Sequence, residues 1–150
     1  MGLESYYDKL NKSVLDEPKI DLFQQCNFKS HAGLDLTWKI ECDAISDAEW
    51  ECFAKIETRQ FSKVVGIPRG GIKLQNALSH YVSGNDTDPV LIVDDVWTTG
   101  TSFREFTEIE IVKQDIEKNG WFGWCIFART QATDGVTALF QMPAKRTVTW

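Results

Sequence analysis

The chain has 150 residues, a formal net charge of −6, 43% hydrophobic and 25% charged residues, which excludes a disordered chain and predicts one domain with a single core. No apolar run is long enough to cross a bilayer, and the first ten residues carry Glu4, Asp8 and Lys9 in place of a basic-then-apolar signal. No Lys/Arg cluster offers a grip on nucleic acid, and Cys26, Cys42, Cys52 and Cys125 form no C-x-x-C pair, so reduced thiols and a cytoplasmic location are expected.

Residues 1–25 are polar with scattered apolar positions and read as a loose arm or a short helix. Leu34, Leu36, Trp38, Ile40 and Cys42 fall on every second position, which predicts a half-buried strand over 34–42. Ser46 and Glu49 form a capping box, and Trp50, Phe53, Ala54 and Ile56 supply the apolar side of the helix it opens. Residues 64–67 read as a short strand stopped by Pro68-Arg69-Gly70-Gly71. A helix follows over 72–81, then a turn at 83–86. Val90-Leu91-Ile92-Val93 is continuously apolar, as in a strand buried on both faces of a parallel sheet. Residues 98–102 read as a loop, 103–119 as one charged helix, and 121–127, 136–140 and 147–150 as strands. The alternation predicts a single α/β domain over 1–150, a parallel-centred sheet flanked by helices and joined by right-handed crossovers.

Two loops carry chemistry. In Val90-Leu91-Ile92-Val93-Asp94-Asp95-Val96-Trp97-Thr98-Thr99-Gly100-Thr101-Ser102, a buried strand delivers two carboxylates to its C-terminal end, where open α/β sheets bind ligands. The hydroxyls of Thr98, Thr99, Thr101 and Ser102 surround Gly100 at a helix start, a cup of N–H and O–H donors for a phosphate. Carboxylates beside a phosphate cup suit a sugar phosphate, whose hydroxyls they accept. The plainer alternative is a capped helix after a core strand with solvated acids. In the second loop, Pro68-Arg69-Gly70-Gly71 follows a strand and precedes a helix: a second anion site of backbone N–H groups and one guanidinium, or simply a turn.

The first stretch closely resembles the phosphoribosyl pyrophosphate (PRPP) signature of type I phosphoribosyltransferases: four apolar residues, two acids, two apolar residues and a Thr/Gly-rich loop. The resemblance covers about residues 27–142, with a core over about 60–142. It implies Mg²⁺-dependent displacement of pyrophosphate from PRPP by a nitrogenous base. Asp94 and Asp95 would hold the ribose hydroxyls, directly or through the waters of the metal, and 98–102 the 5′-phosphate. Arg69, Gly70 and Gly71 would form the pyrophosphate loop, with a cis peptide at 68–69 or 69–70. Residues Phe28-Lys29-Ser30-His31-Ala32-Gly33, followed by Trp38-Lys39-Ile40-Glu41-Cys42-Asp43, are similar to the N-terminal hood of orotate phosphoribosyltransferases, here about 27–45. By that register His31 falls at a cation position, and Lys39 and Ile40 replace base-contacting aromatics. An edge strand with snorkelling polar residues is the alternative. Arg129, ending the strand Cys125-Ile126-Phe127-Ala128, falls where the family places a cation facing the base, so His31, Trp38, Lys39 and Arg129 are the candidate base-binding set. His80 reads as a bystander. Thr98 stands where 6-oxopurine enzymes carry an acid, which favours an orotate-like pyrimidine.

One departure is large. Only residues 72–89 separate the two motifs, and a helix uses about ten of them, leaving no room for the family's mobile catalytic lid. Residues 1–45, the C-terminal tail or a second subunit, as in a homodimer, could cover the site. Expected partners are therefore small molecules, PRPP and a base. A noncatalytic PRPP- or nucleotide-binding regulator stays open, as does a protein-interaction module that would use the six tryptophans.

Overall fold

In the computed structural model of the chain the described residues are 22–29, 33 and 35–142, and at 26–28 and 35–38 the backbone alone is described. The first elements are two antiparallel strands, β1 (Phe23–Lys29) and β2 (Asp35–Ile40). β2 is the strand that the alternation predicts. It stops at Ile40 because Glu41 caps a 3₁₀ turn, Cys42–Ala44, which turns Cys42 into the core. β1 corrects the reading of its first residues as a loose arm or short helix. The pairing is irregular between Gln25 and Phe28, so no period of two marks β1 in the sequence. Residues 1–21, and the strand expected over 147–150, lie outside the described residues.

Ser46 and Glu49 close the capping box of α1 (Asp47–Ala54): the Glu49 N–H donates to Ser46 Oγ at 3.2 Å and the Ser46 N–H to Glu49 Oε1 at 3.1 Å. Such a cap contributes about 1 kcal/mol. Trp50 and Ala54 are buried and Phe53 packs beside them. Ile56, expected on the same face, lies past the C-cap Lys55 and is 53% exposed.

The sheet that follows has four parallel strands in the order β3 (Lys63–Gly66), β4 (Val90–Trp97), β5 (Trp121–Ala128), β6 (Val136–Gln141). β4 is flanked on both edges, which is why its apolar run is unbroken. Its period of two divides the core. Leu91 and Val93 pack with Trp124 and Ile126 under α1 and α2 (Ile72–Leu78), whereas Val90 and Ile92 pack with Cys125 and Val136 under the helices that follow β4. Between β3 and β4 the chain runs through α2, a 3₁₀ turn (Ser79–Tyr81) and a turn in which Asn85 Oδ1 accepts from Thr87 N–H at 3.1 Å. It contains no strand pair, as its length requires.

The single helix expected over 103–119 is instead α3 (Thr101–Thr107) and α4 (Glu110–Asn119), broken by an extended Ile109. Phe106 and Val112 are both buried in the core on that side of the sheet. Six residues apart, they would stand about 120° apart round one continuous helix, and the break lets both reach the sheet. The β1–β2 pair is held by Leu22 and Ile40, which pack on the α1/α2 side, and by Phe23, whose ring makes a T-shaped contact with that of Phe127 at 6.4 Å.

Candidate functional site

Asp94 and Asp95 extend β4 past its apolar run, toward the C-terminal edge of the sheet. Asp94 is only 7% exposed. Its Oδ1 accepts from Asp95 N–H at 2.9 Å, and Asp95 Oδ1 accepts from Val96 N–H at 2.7 Å. Burial first, then the charge of Asp95, push the Asp94 carboxyl well above the ordinary carboxylate range. Two buried thiols complete the surroundings, Cys42 beside Asp95 and Cys125 beside Asp94. Burial and these neighbouring carboxylates raise both thiols, Cys125 to about 12, so both stay protonated at neutral pH.

After Trp97 the chain bends through Thr98, Thr99 and Gly100 into α3. Gly100 is the N-cap, at φ +81°, and a Cβ there would strike the Trp97 ring. The carbonyls of this bend are tied down behind it. Thr130 Oγ1 donates to Thr98 O, and Arg104 Nη1 donates to Thr99 O at 3.1 Å. Among the described residues none of the amide N–H groups of 98–102 has an acceptor. Consecutive free amides at a helix start form an anion-binding concavity.

The loop after β3 is built differently. The Pro68–Arg69 peptide is cis. Ile67 N–H donates to Val93 O, Gly71 N–H to Ile67 O at 2.8 Å and Ile72 N–H to Arg69 O at 3.1 Å, so the Arg69 and Gly70 amides alone in this loop have no acceptor among the described residues. Gly71 lies against the β4 backbone at Val93 O, and a Cβ at Gly70 would fall on the Asp95 carboxylate. The Arg69 side chain is exposed.

Parts of both loops meet the acids in one open cleft of about 650 Å³, lined by Gly70, Asp94, Asp95, Thr98 and Ser102 together with Ile67, Pro68, Val96, Glu105, Phe106 and Ile109; Arg69, Gly71, Thr99, Gly100 and Thr101 do not line it, and Gly100 lines a separate cavity. Ser102, Glu105 and Phe106 were within reach of the sequence: positions i, i+3 and i+4 from the loop hydroxyl share one helical face, whereas Ile109 reaches the cleft from the break after α3. Treating 98–102 as loop and starting the helix at 103 hid that face.

The candidate base-binding residues are less convergent. His31 and the Trp38 side chain lie outside the described residues. Lys39 pairs with Glu41 at 3.1 Å, a contact that lowers the Glu41 carboxyl. Arg129 is half-buried at the end of β5, its N–H donating to Trp97 O at 2.8 Å, and burial lowers its guanidinium. Neither Lys39 nor Arg129 lines the cleft. As donors for Mg²⁺ the cleft offers the oxygens of Asp94 and Asp95, the hard ligand type that ion takes alongside substrate phosphates. Among the described residues no helix is long and apolar enough to cross a membrane.

The chain is similar to several solved structures. It covers 89% of its own length and 92% of orotate phosphoribosyltransferase from Aeropyrum pernix, at 16% identity and a TM-score of 0.58. For Leishmania donovani UMP synthase the identity is 15% and the TM-score 0.61 over 81% of this chain, which spans about a third (34%) of that longer protein. A phosphoribosyltransferase from Corynebacterium diphtheriae matches 71% of this chain and 84% of its own, at 12% identity and a TM-score of 0.52. No family model and no curated protein sequence matches the chain. The chain has the type I phosphoribosyltransferase fold.

Proposed function

We propose that the cleft binds PRPP and that the chain is a phosphoribosyltransferase, moving the 5-phosphoribosyl group to a nitrogenous base of the orotate-like pyrimidine class and releasing pyrophosphate. The observation that carries this reading is an acid pair lining one cleft at the sheet edge, next to a run of unengaged amides whose two ends, Thr98 and Ser102, line the same cleft. A phosphate alone would have no use for the acid pair, and a cation alone would have no use for the amides. A phosphorylated sugar uses both. In this reading the amides of 98–102 and the hydroxyls of Thr98 and Ser102 hold the 5′-phosphate. Asp95, fixed by Val96 N–H and by Gly70, accepts from the ribose hydroxyls with Asp94 behind it. The Arg69 and Gly70 amides and the Arg69 guanidinium face the pyrophosphate. Mg²⁺ would neutralise the leaving group when it arrives with the substrate. Thr98, an alcohol where an acid would be needed to take a proton from the ring, suits a base that is already anionic. His31, Trp38, Lys39 and Arg129 would surround that base. The free thiols Cys42, Cys52 and Cys125 are consistent with a cytoplasmic protein.

A noncatalytic PRPP- or nucleotide-binding regulator is the second reading, favoured by one observation: residues 72–89 form a helix, a 3₁₀ turn and a tight turn, with nothing that closes over the cleft. A panel of bases incubated with PRPP and Mg²⁺ separates the two. Pyrophosphate release with one base establishes the transferase, saturable PRPP binding without release establishes the regulator, and neither result overturns both.

A further inference from the structure

Arg104 is outside the cleft. It lines a separate cavity of about 240 Å³ on the other side of the 98–102 bend, with Trp97 and Gly100. From there its guanidinium donates twice into the bend, through Nη1 to Thr99 O at 3.1 Å and through Nη2 to Thr101 Oγ1 at 3.3 Å. We propose that Arg104 is a positioning residue of the anion cup, holding the amides of the bend toward the cleft by gripping the bend from behind.

The argument is the geometry of the peptide. In a trans peptide the C=O and the following N–H point in opposite directions. With Thr99 O fixed on the Arg104 side, the Gly100 N–H is turned the other way. Thr130 does the same for the preceding peptide by donating to Thr98 O, which turns the Thr99 N–H in turn. Two successive amides are thereby presented together, as an anion-binding nest requires. The second donation orders the hydroxyls. Thr101 Oγ1 accepts from Arg104 and lies 2.8 Å from Thr99 Oγ1. The Thr101 proton can then go to Thr99 Oγ1, leaving the Thr99 proton for an anion. A planar fork that serves a carbonyl and a hydroxyl at once is a guanidinium property that an ammonium does not share.

The inference deepens the reading of the bend as a 5′-phosphate site and rests on it. The test is calorimetric titration of the full chain with two probes, ribose 5-phosphate for the cup and Mg²⁺–pyrophosphate for the loop after β3. Arg104→Met is expected to weaken ribose 5-phosphate by on the order of tenfold or more while Mg²⁺–pyrophosphate stays within about twofold, with Arg104→Lys falling between Met and wild type. Unchanged ribose 5-phosphate affinity in Arg104→Met overturns the assignment. Equal weakening of both probes shows a general loss of structure and overturns it too. Wild-type protein that binds no ribose 5-phosphate overturns the reading of the cup, and the role of Arg104 with it.

Discussion

After β3 the chain turns through Ile67, Pro68, Arg69, Gly70 and Gly71, and after β4 through Thr98, Thr99 and Gly100. The two turns leave neighbouring strands and treat their amides in opposite ways. In the first, three N–H groups are used inside the fold, at Ile67, Gly71 and Ile72, and its glycines exist for close approach: Gly71 to the β4 backbone, Gly70 to the Asp95 carboxylate. In the second, the carbonyls are held from behind by Thr130 and Arg104 and the amides are left open. The same vocabulary of glycine before a helix therefore does two jobs. One loop is a packing joint that fixes Asp95, with two free amides and an exposed guanidinium at its tip; the other is a donor array.

Substituting the glycines sharpens this difference most strongly. A Cβ at Gly71 meets Val93 O and the backbone of Ile67, neither of which can move without breaking the β3–β4 ladder, so Gly71→Ala is expected to cost about 3 kcal/mol of fold stability. The Cβ of Gly70→Ala meets only a side chain, and that substitution should cost about 1 kcal/mol or less while displacing Asp95 and weakening PRPP. Urea unfolding of the two variants checks the order. Equal losses would mean that the loop is not the rigid joint described.

The carboxylates give the next largest effect. Asp94→Asn/Asp95→Asn should keep the fold and lower PRPP affinity by about tenfold to a hundredfold, read by calorimetry, because Asp95, backed by Asp94, otherwise accepts from the ligand hydroxyls. Unchanged affinity would remove the acids from the site and leave the cup to serve a simple phosphate.

Asp94 alone separates folding from binding. Its folded-state pKa is raised by burial, so the carboxyl contributes stability fully below the unfolded-state value, and that contribution is lost progressively as pH rises toward the folded value. Asp94→Asn keeps an acceptor for Asp95 N–H and has no charge to bury. In metal-free buffer it should unfold at a higher temperature than wild type at pH 7, by an amount corresponding to about 1 kcal/mol, with a gap that widens from pH 5 to pH 8. A gap that narrows over that range would place the Asp94 charge in a favourable environment instead.

Much of this contrast was legible in the residues. The apolar run 90–93, the acids after it and the hydroxyl/glycine stretch each report their own local physics, and the structure puts the first two on one strand, Val90–Trp97, and the third at a helix start. The length of 72–89 sufficed to exclude a hairpin there. What the sequence concealed depended on partners distant along the chain. Nothing local in Phe23–Lys29 marks a strand, because its pairing with β2 is irregular. The break at Ile109 answers to the burial of both Phe106 and Val112, a demand set by the sheet. The free or engaged state of each loop amide depends on Val93, Thr130 and Arg104, and the ion pair of Lys39 with Glu41 on side-chain directions that alternation does not fix. β2 was recognisable as a strand, whereas the turn of Lys39 toward Glu41 and away from the cleft was not.

The central claim is that the bend after β4 is an array of free amides for a sugar 5′-phosphate. Crystals of the protein grown with ribose 5-phosphate test it most directly. The account predicts the phosphate oxygens within about 2.7–3.1 Å of the amide nitrogens of 98–102, with the ribose hydroxyls turned toward Asp95. Phosphate bound elsewhere, or a bend whose amides have closed onto acceptors within the protein, would contradict it.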